Sequence, residues 1–145
     1  MKSSCRFAMA VHVMTVLAYK EGDRVTSSFL AGSVNTNPVI IRRLLLALQQ
    51  ARLVETAKGA GSGSRLSRSP ARINLAEIYR AVEDCEPFAT PSRKPNSACP
   101  VGNCIREALD KVFASAQRAL EKDLGQTTLA GLIEQVKTSA SCQCG

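Results

Sequence analysis

The chain has 145 residues, with 19 Lys and Arg against 12 Asp and Glu and a net charge of +7. That length makes one domain with a real core, and the excess positive charge favours a polyanionic partner, because neutralising phosphates releases counterions. Tryptophan is absent and aromatics make up 4% of the residues, which argues against a single-strand binder built on base stacking.

The N-terminal stretch MKSSCRFAMAVHVMTVLAYK reads as an amphipathic helix capped by Ser3 or Ser4. Phe7, Ala10, Val11, Met14, Leu17 and Ala18 recur at helical spacing and form its core stripe. Arg6 and His12 interrupt the apolar run, which is too short to span a bilayer, so neither a signal peptide nor a membrane contact is expected. His12 is the only histidine, and a satisfied polar role suits it better than metal ligation.

Residues 25 to 70 carry the most information. Thr26 can cap a short helix with Phe29 and Leu30 as its apolar residues, which Gly32-Ser33-Val34-Asn35-Thr36 then breaks. Asn37-Pro38 restarts a helix, because asparagine accepts orphan N–H bonds at the N-cap and proline is preset for the first helical position. This helix runs to about Ala51, with Ile41, Leu44, Leu45 and Leu48 on one face and Arg42, Arg43, Gln49 and Gln50 mostly on the other. A second helix with a buried stripe and a basic, polar opposite face is the arrangement that enters a major groove. An ordinary solvated helix would share the pattern.

The residues after this helix decide between the two. Leu53 to Thr56 is strand-like, and Lys58-Gly59-Ala60-Gly61-Ser62-Gly63-Ser64-Arg65-Leu66-Ser67-Arg68 makes a glycine-rich hairpin tip. Lys58, Arg65 and Arg68 give it positive charge. A flexible linker would use the same glycines and serines, and a phosphate-binding loop would need a Gly-Lys-Ser/Thr that is missing. Directly after a helix-turn-helix, a wing is the better reading.

Asn74 and Glu77 form a capping box for a helix through about Asp84, with Leu75, Ile78, Tyr79 and Val82 inward. Residues 85–99, CEPFATPSRKPNSAC, read as a loop. A long helix from Pro100 to about Leu124 comes next, roughly 37 Å long at 1.5 Å per residue. Val101, Ile105, Ala108, Leu109, Val112, Ala116, Ala119 and Leu120 form a stripe along it. Behind a compact DNA-binding unit, so long a helix points to dimerisation, which also suits palindromic operators. A short helix, Thr128 to Val136, precedes the polar tail SASCQCG.

The ordered set NPVIIRRLLLALQQARLV, KGAGSGSRL, INLAEIYRAVE, CPVGNCI and TLAGLIEQV resembles the Rrf2 family of bacterial winged-helix transcription regulators over nearly the whole chain. The resemblance implies a mainly α fold with a small β-hairpin wing. Residues 1–84 would form the winged helix-turn-helix, 85–99 a sensory loop, 100–137 the dimerisation helix and a closing helix, and 138–145 a tail. It implies a cytoplasmic homodimer on double-stranded DNA, most simply a repressor and not an enzyme. The DNA candidates by this resemblance are Asn37, Val39, Arg42 and Arg43 in the turn and recognition helix, and Lys58, Ser62, Ser64 and Arg65 in the wing. Arg52 departs from the family, which usually has glycine there before Leu-Val.

The six cysteines bear on what the regulator senses. In a reducing compartment a structural disulfide framework is not expected. Cys5 reads as a small core or semi-buried residue of the first helix, and Cys142 and Cys144 sit in the tail. Cys99 and Cys104 bracket the start of the long helix, where backbone N–H groups together with Arg93, Lys94 and Arg106 favour a thiolate. Many family members sense redox state, nitric oxide, iron–sulfur status or cysteine supply, and the cluster-binding branch places three cysteines in this loop. Cys104 matches the last of these and Cys99 falls near the second, but TPSRKPN has no cysteine at the first, leaving only the distant Cys85. No cofactor is therefore the first expectation. An iron–sulfur cluster on Cys85, Cys99, Cys104 and a borrowed ligand is the alternative.

Thiol sensing without a cluster remains open beside a purely structural Cys-Pro-Val-Gly helix start. Five helical residues separate the two thiols by about 7.5 Å along the axis, beyond ordinary disulfide reach, so a disulfide here needs the helix start to unwind, or a partner from elsewhere such as Cys85, a tail cysteine or the other subunit. A cysteine enzyme would need a base beside a reactive thiol. No C-x-x-C motif is present, and the lone histidine lies in the first helix. A winged helix that binds protein instead of DNA is the remaining rival, separated by its lack of steep salt dependence.

Overall fold

The structure, a computed structural model, describes residues 5–83, 88 and 90–143, with side chains described as far as residue 140. The first helix, α1 (Arg6–Tyr19), runs through the centre of the core. Ala10, Met14, Leu17 and Ala18 are buried as the spacing requires, and Phe7 and Val11 pack at the edge of the same cluster. Val13 is fully buried as well, because helices close on α1 from more than one side. Cys5 caps this helix and is exposed, not a core residue. The expected caps Ser3 and Ser4 lie outside the described residues.

Helix α2 (Ser27–Val34) starts at Thr26, whose hydroxyl accepts from the Phe29 N–H at 3.2 Å. It does not break at Gly32. It continues to Val34 and stops at Asn35, which turns left-handed at φ 63°. Leu30 is buried, whereas Phe29 is half exposed beneath the Lys20 ammonium, 4.8 Å from its ring centroid.

Helix α3 (Pro38–Gln50) then lays Ile41, Leu44, Leu45 and Leu48 into the core. Its end is tight: the Leu53 N–H donates to the Leu48 carbonyl at 2.9 Å, and Arg52 sits at φ 61°. That is the left-handed position where helices favour glycine, since a Cβ there crowds the following carbonyl. The departure at Arg52 is therefore a local backbone cost, and the fold absorbs it.

Strands β1 (Val54–Ala57) and β2 (Gly63–Leu66) form an antiparallel hairpin that pairs Val54 with Leu66, Glu55 with Arg65, Thr56 with Ser64 and Ala57 with Gly63. A 3₁₀ turn at Pro70–Arg72 leads to α4 (Leu75–Val82), which opens with the expected Asn74–Glu77 capping box. Ala76, Ile78 and Val82 are buried, and Tyr79 meets the Phe7 ring edge-on at 5.4 Å.

Helix α5 (Pro100–Leu124) has no buried residue along its 25 positions. One side leans on α4, where Arg80 pairs with Glu121 at 3.2 Å. The predicted apolar stripe lies open, with Val101 67% and Val112 60% exposed. The last helix, α6 (Leu129–Gln143), is longer than expected: residues 138–143, which the sequence suggests as tail, continue it. It is also tied to the winged-helix unit. The Leu75 N–H donates to the Thr127 carbonyl at 3.0 Å, the Leu129 N–H donates to the Ile73 carbonyl at 2.8 Å, and Leu129 and Ile133 join the N-terminal core.

Replacing Arg52 with glycine removes the left-handed backbone cost. Arg52→Gly is expected to raise unfolding stability by about 1 kcal/mol in denaturant titrations, while Arg52→Ala gives no comparable gain.

Candidate nucleic-acid interface

Capping sets how α3 meets solvent. The Asn37 side-chain oxygen accepts from the Val39 N–H at 2.8 Å, which fixes the first turn. With the apolar stripe buried, Asn37, Val39, Arg42 and Arg43 are all exposed, as are Gln49 and Gln50. Leu46, on the same outer face, is 56% exposed.

The wing is held beside this helix by backbone. Val25 and Ser64 exchange both N–H···O bonds, at 2.9 and 2.8 Å, so Val25 adds a one-residue strand to β2. This pairing leaves no room at the neighbouring position. A Cβ on Gly63, which has φ 130°, would lie 2.8 Å from the Val25 carbonyl oxygen.

The tip runs from Lys58 to Ser62, closed by a Ser62 N–H to Gly59 carbonyl bond at 2.9 Å, and both Lys58 and Ser62 are exposed. Arg65 stands opposite Glu55 and donates to its carboxylate at 3.2 Å, on the solvent side of the hairpin. Ser64 points the other way. It is 1% exposed and its hydroxyl shares a hydrogen bond with Thr56 at 3.1 Å, so the expectation of Ser64 as a DNA-facing side chain is corrected: strand alternation turns it inward. Arg68 is also drawn away from the tip, donating to the Arg72 carbonyl at 3.2 Å and to Glu77 at 3.0 Å.

Between α3 and the wing lies an open groove of about 410 Å³, lined among others by Thr26, Ser27, Arg42, Leu46, Gln49 and Lys58. Arg42 supplies a cation from one wall and Lys58 from the other. Arg43 stands outside this groove. Arg24 does not stand out in the sequence, yet it reaches the wing, donating to the Gly63 carbonyl at 3.3 Å. Its only sequence signal is its place beside Val25, and a single bridging residue leaves no alternating pattern to read.

The cysteine loop is built differently. Cys99 is the N-cap of α5, with its carbonyl accepting from the Asn103 N–H at 2.9 Å and its own N–H donating to the Asn96 carbonyl at 3.2 Å. Cys104 lies just past the first turn, and both thiols are exposed. Arg106 donates to the Pro91 carbonyl and so faces the loop. Cys85 and Cys144 lie outside the described residues, and of Cys142 only the backbone is described. Among the described residues no three His, Cys, Asp or Glu come together as a metal site. Two thiols fall short of the four ligands an iron–sulfur cluster usually takes, so the described residues do not fit one. His12 lies elsewhere, bonded to the Ser33 hydroxyl at 3.0 Å.

A helix-turn-helix with a paired wing and a long helix behind it defines a winged-helix regulator, and comparison with known proteins places it further. The Rrf2 family, described as iron-dependent transcriptional regulators, matches residues 3–135. YwnA of Bacillus subtilis, named as an HTH-type transcriptional regulator, is 37% identical over 131 residues, covering 90% of this chain and 96% of YwnA. A crystal structure described as a DNA-binding protein superposes with a TM-score of 0.71 at 37% identity, covering 88% of this chain and 98% of that one. A transcriptional regulator from Lactobacillus plantarum superposes with a TM-score of 0.76 at 27% identity, covering 92% and 90%. The chain belongs to the Rrf2 family of transcriptional regulators, whose members are regulators and not enzymes. No helix among the described residues is long and apolar enough to cross a membrane.

The wing's attachment makes a direct prediction. Gly63→Ala is expected to break the Val25–Ser64 pairing, seen as faster amide exchange at residues 55–66, while Gly32→Ala, a helical position with open space around its Cβ, leaves that exchange largely unchanged.

Proposed function

We propose that the chain is a homodimeric regulator that reads double-stranded DNA, with α3 in the major groove and the wing on the flanking backbone. The observation that carries this is the α3–wing groove, which Arg42 lines from the helix and Lys58 from the wing. In this reading Arg42 and Arg43 reach guanine edges or phosphates, and Asn37 offers its amide. Val39, 46% exposed, suits the methyl group of thymine. Lys58, Ser62 and Arg65, with Arg24 behind them, hold phosphates. Arg65 can exchange Glu55 for a phosphate at little cost, because exposed ion pairs are worth about 1 kcal/mol or less.

The dimer rests on α5. Val101, Ile105, Val112 and Leu120 are exposed along one side of a helix whose other side meets its own α4. A second copy on that stripe would set two α3 helices on one face for a two-fold site. Repression by occupying a promoter is the simplest output for such a dimer, and work on the chromosome places the protein in the cytoplasm.

Salt and substitution test the DNA reading, with duplexes selected from a randomised pool as probe. Arg43→Ala is expected to weaken binding to selected duplex by roughly 5- to 150-fold, about 1–3 kcal/mol, and to leave non-selected duplex nearly unaffected. Lys58→Ala is expected to weaken both alike and to reduce the slope of log K against log salt by about 1. Binding indifferent to salt would favour a protein-binding winged helix instead.

Cys99 is the proposed sensing thiol. Hydrogen peroxide would oxidise it to the sulfenic acid with release of water, placing a polar group at the cap of α5. Peroxide is expected to lower affinity for the selected duplex at least about tenfold, a 1.4 kcal/mol change, and Cys99→Ser is expected to abolish the response. Unchanged sensitivity in that variant removes the thiol reading. Iron and sulfide in anaerobically purified protein would replace it with a cluster that draws on Cys85.

A further inference from the structure

Helix α5 has a second feature on the side away from its apolar stripe. An open cavity of about 430 Å³ lies between this helix and the segment before it, lined by Phe88, Thr90, Asp110, Phe113, Gln117 and Arg118. The Phe88 and Phe113 rings stack at 5.3 Å with an interplanar angle of 20° and form an apolar wall, Phe88 still 42% exposed. Within this lining the Gln117 side-chain oxygen is buried and has no hydrogen-bond partner. Buried polar atoms are nearly always paired, so an unpaired one asks for a donor. Asp110 and Arg118 bring opposite charges to the same cavity, and neither forms an ion pair with another described residue.

These groups narrow the ligand chemistry. A simple anion would face Asp110, a simple cation would face Arg118, and a purely apolar molecule would leave Gln117 unsatisfied. A molecule carrying both charges on a small frame meets all three.

We propose that this cavity binds a small zwitterion of the amino-acid class with an apolar side chain. Its ammonium donates to the Asp110 carboxylate and the Gln117 oxygen, its carboxylate accepts from the Arg118 guanidinium, and its side chain lies on Phe88 and Phe113. The volume falls in the ordinary range for small-molecule sites, and an Arg–carboxylate pair adds directional strength. At 100° per residue, Phe113 and Gln117 sit roughly 120° around α5 from the centre of the Val101–Val112 stripe, so a second copy centred on that stripe leaves the cavity open. Occupation would join the segment of Phe88 and Thr90 to the helix that starts at Cys99. The binding does not depend on the DNA reading, and free protein tests it.

The probes are the standard L-amino acids, each in millimolar excess over the full chain, with thermal unfolding as readout. At a hundredfold excess over Kd, an apolar member is expected to raise Tm by about 5–10 °C. Its N-acetyl and carboxamide derivatives, each lacking one charge, should not. Asp110→Asn and Arg118→Gln are each expected to abolish the shift while barely moving Tm without ligand, because both residues are exposed. The chain has no tryptophan, so Phe88→Trp installs a single fluorophore on the cavity wall whose emission should titrate with the same amino acid. A response in either readout that requires both charges supports the proposal. No response in both readouts, or one that survives both charge substitutions, overturns it.

Discussion

The two backbone hydrogen bonds between Val25 and Ser64 hold the wing to the helix-turn-helix. A two-stranded hairpin alone is marginal in water, and this one gains a third partner from the residue that precedes the Thr26 cap. Because Val25 leads directly into α2, the pairing sets the wing at a defined distance from the helix-turn-helix. It has three consequences: Gly63 tolerates no side chain, Ser64 is buried, and Arg42 and Lys58 come to face one groove. The positive charge of the chain becomes a shaped surface only through this contact.

Helix α5 connects that surface to the rest of the molecule. Arg80–Glu121 and the Arg106–Pro91 contact hold one side of it to its own chain, and the other side exposes an apolar stripe. In the proposed dimer, a helix so placed would carry a change at its start, at Cys99, or along its inner side, at Gln117, to the spacing of the two α3 helices. Helix α6 limits how freely it moves. The Thr127–Leu75 and Leu129–Ile73 bonds stitch the chain after α5 back onto the winged-helix core, so the C-terminal part is not a detached dimerisation module.

Much of this is legible in the residues. Helix α3 can be placed nearly to the residue because its cap, its N1 proline and its period all agree, and the Asn74–Glu77 box marks α4 equally well. The wing is legible from its glycines and cations. Its inward and outward sides are not, because the four-residue strand β2 is too short to show alternation, and nothing in the residues separates Ser64 from the exposed Ser62. Gly32 suggests an early end to α2, since glycine lowers helix propensity, yet packing on Leu30 and Ala31 carries the helix on to Val34. Residues 138–143 look like a polar tail in composition, and they extend a helix already anchored by Leu129 and Ile133. Arg24 is invisible in the sequence because its importance comes from a contact 39 residues away.

The central claim is that two copies, joined through α5, present two α3–wing units to one duplex. Hydroxyl-radical footprinting on a duplex selected by the protein tests this most directly. The account predicts two symmetric protected patches on one face of the DNA, about one helical turn or 10 bp apart or a multiple of that, with further backbone protection outside each from the wings. A single asymmetric patch, or no patch at a protein concentration that shifts the duplex, would contradict it.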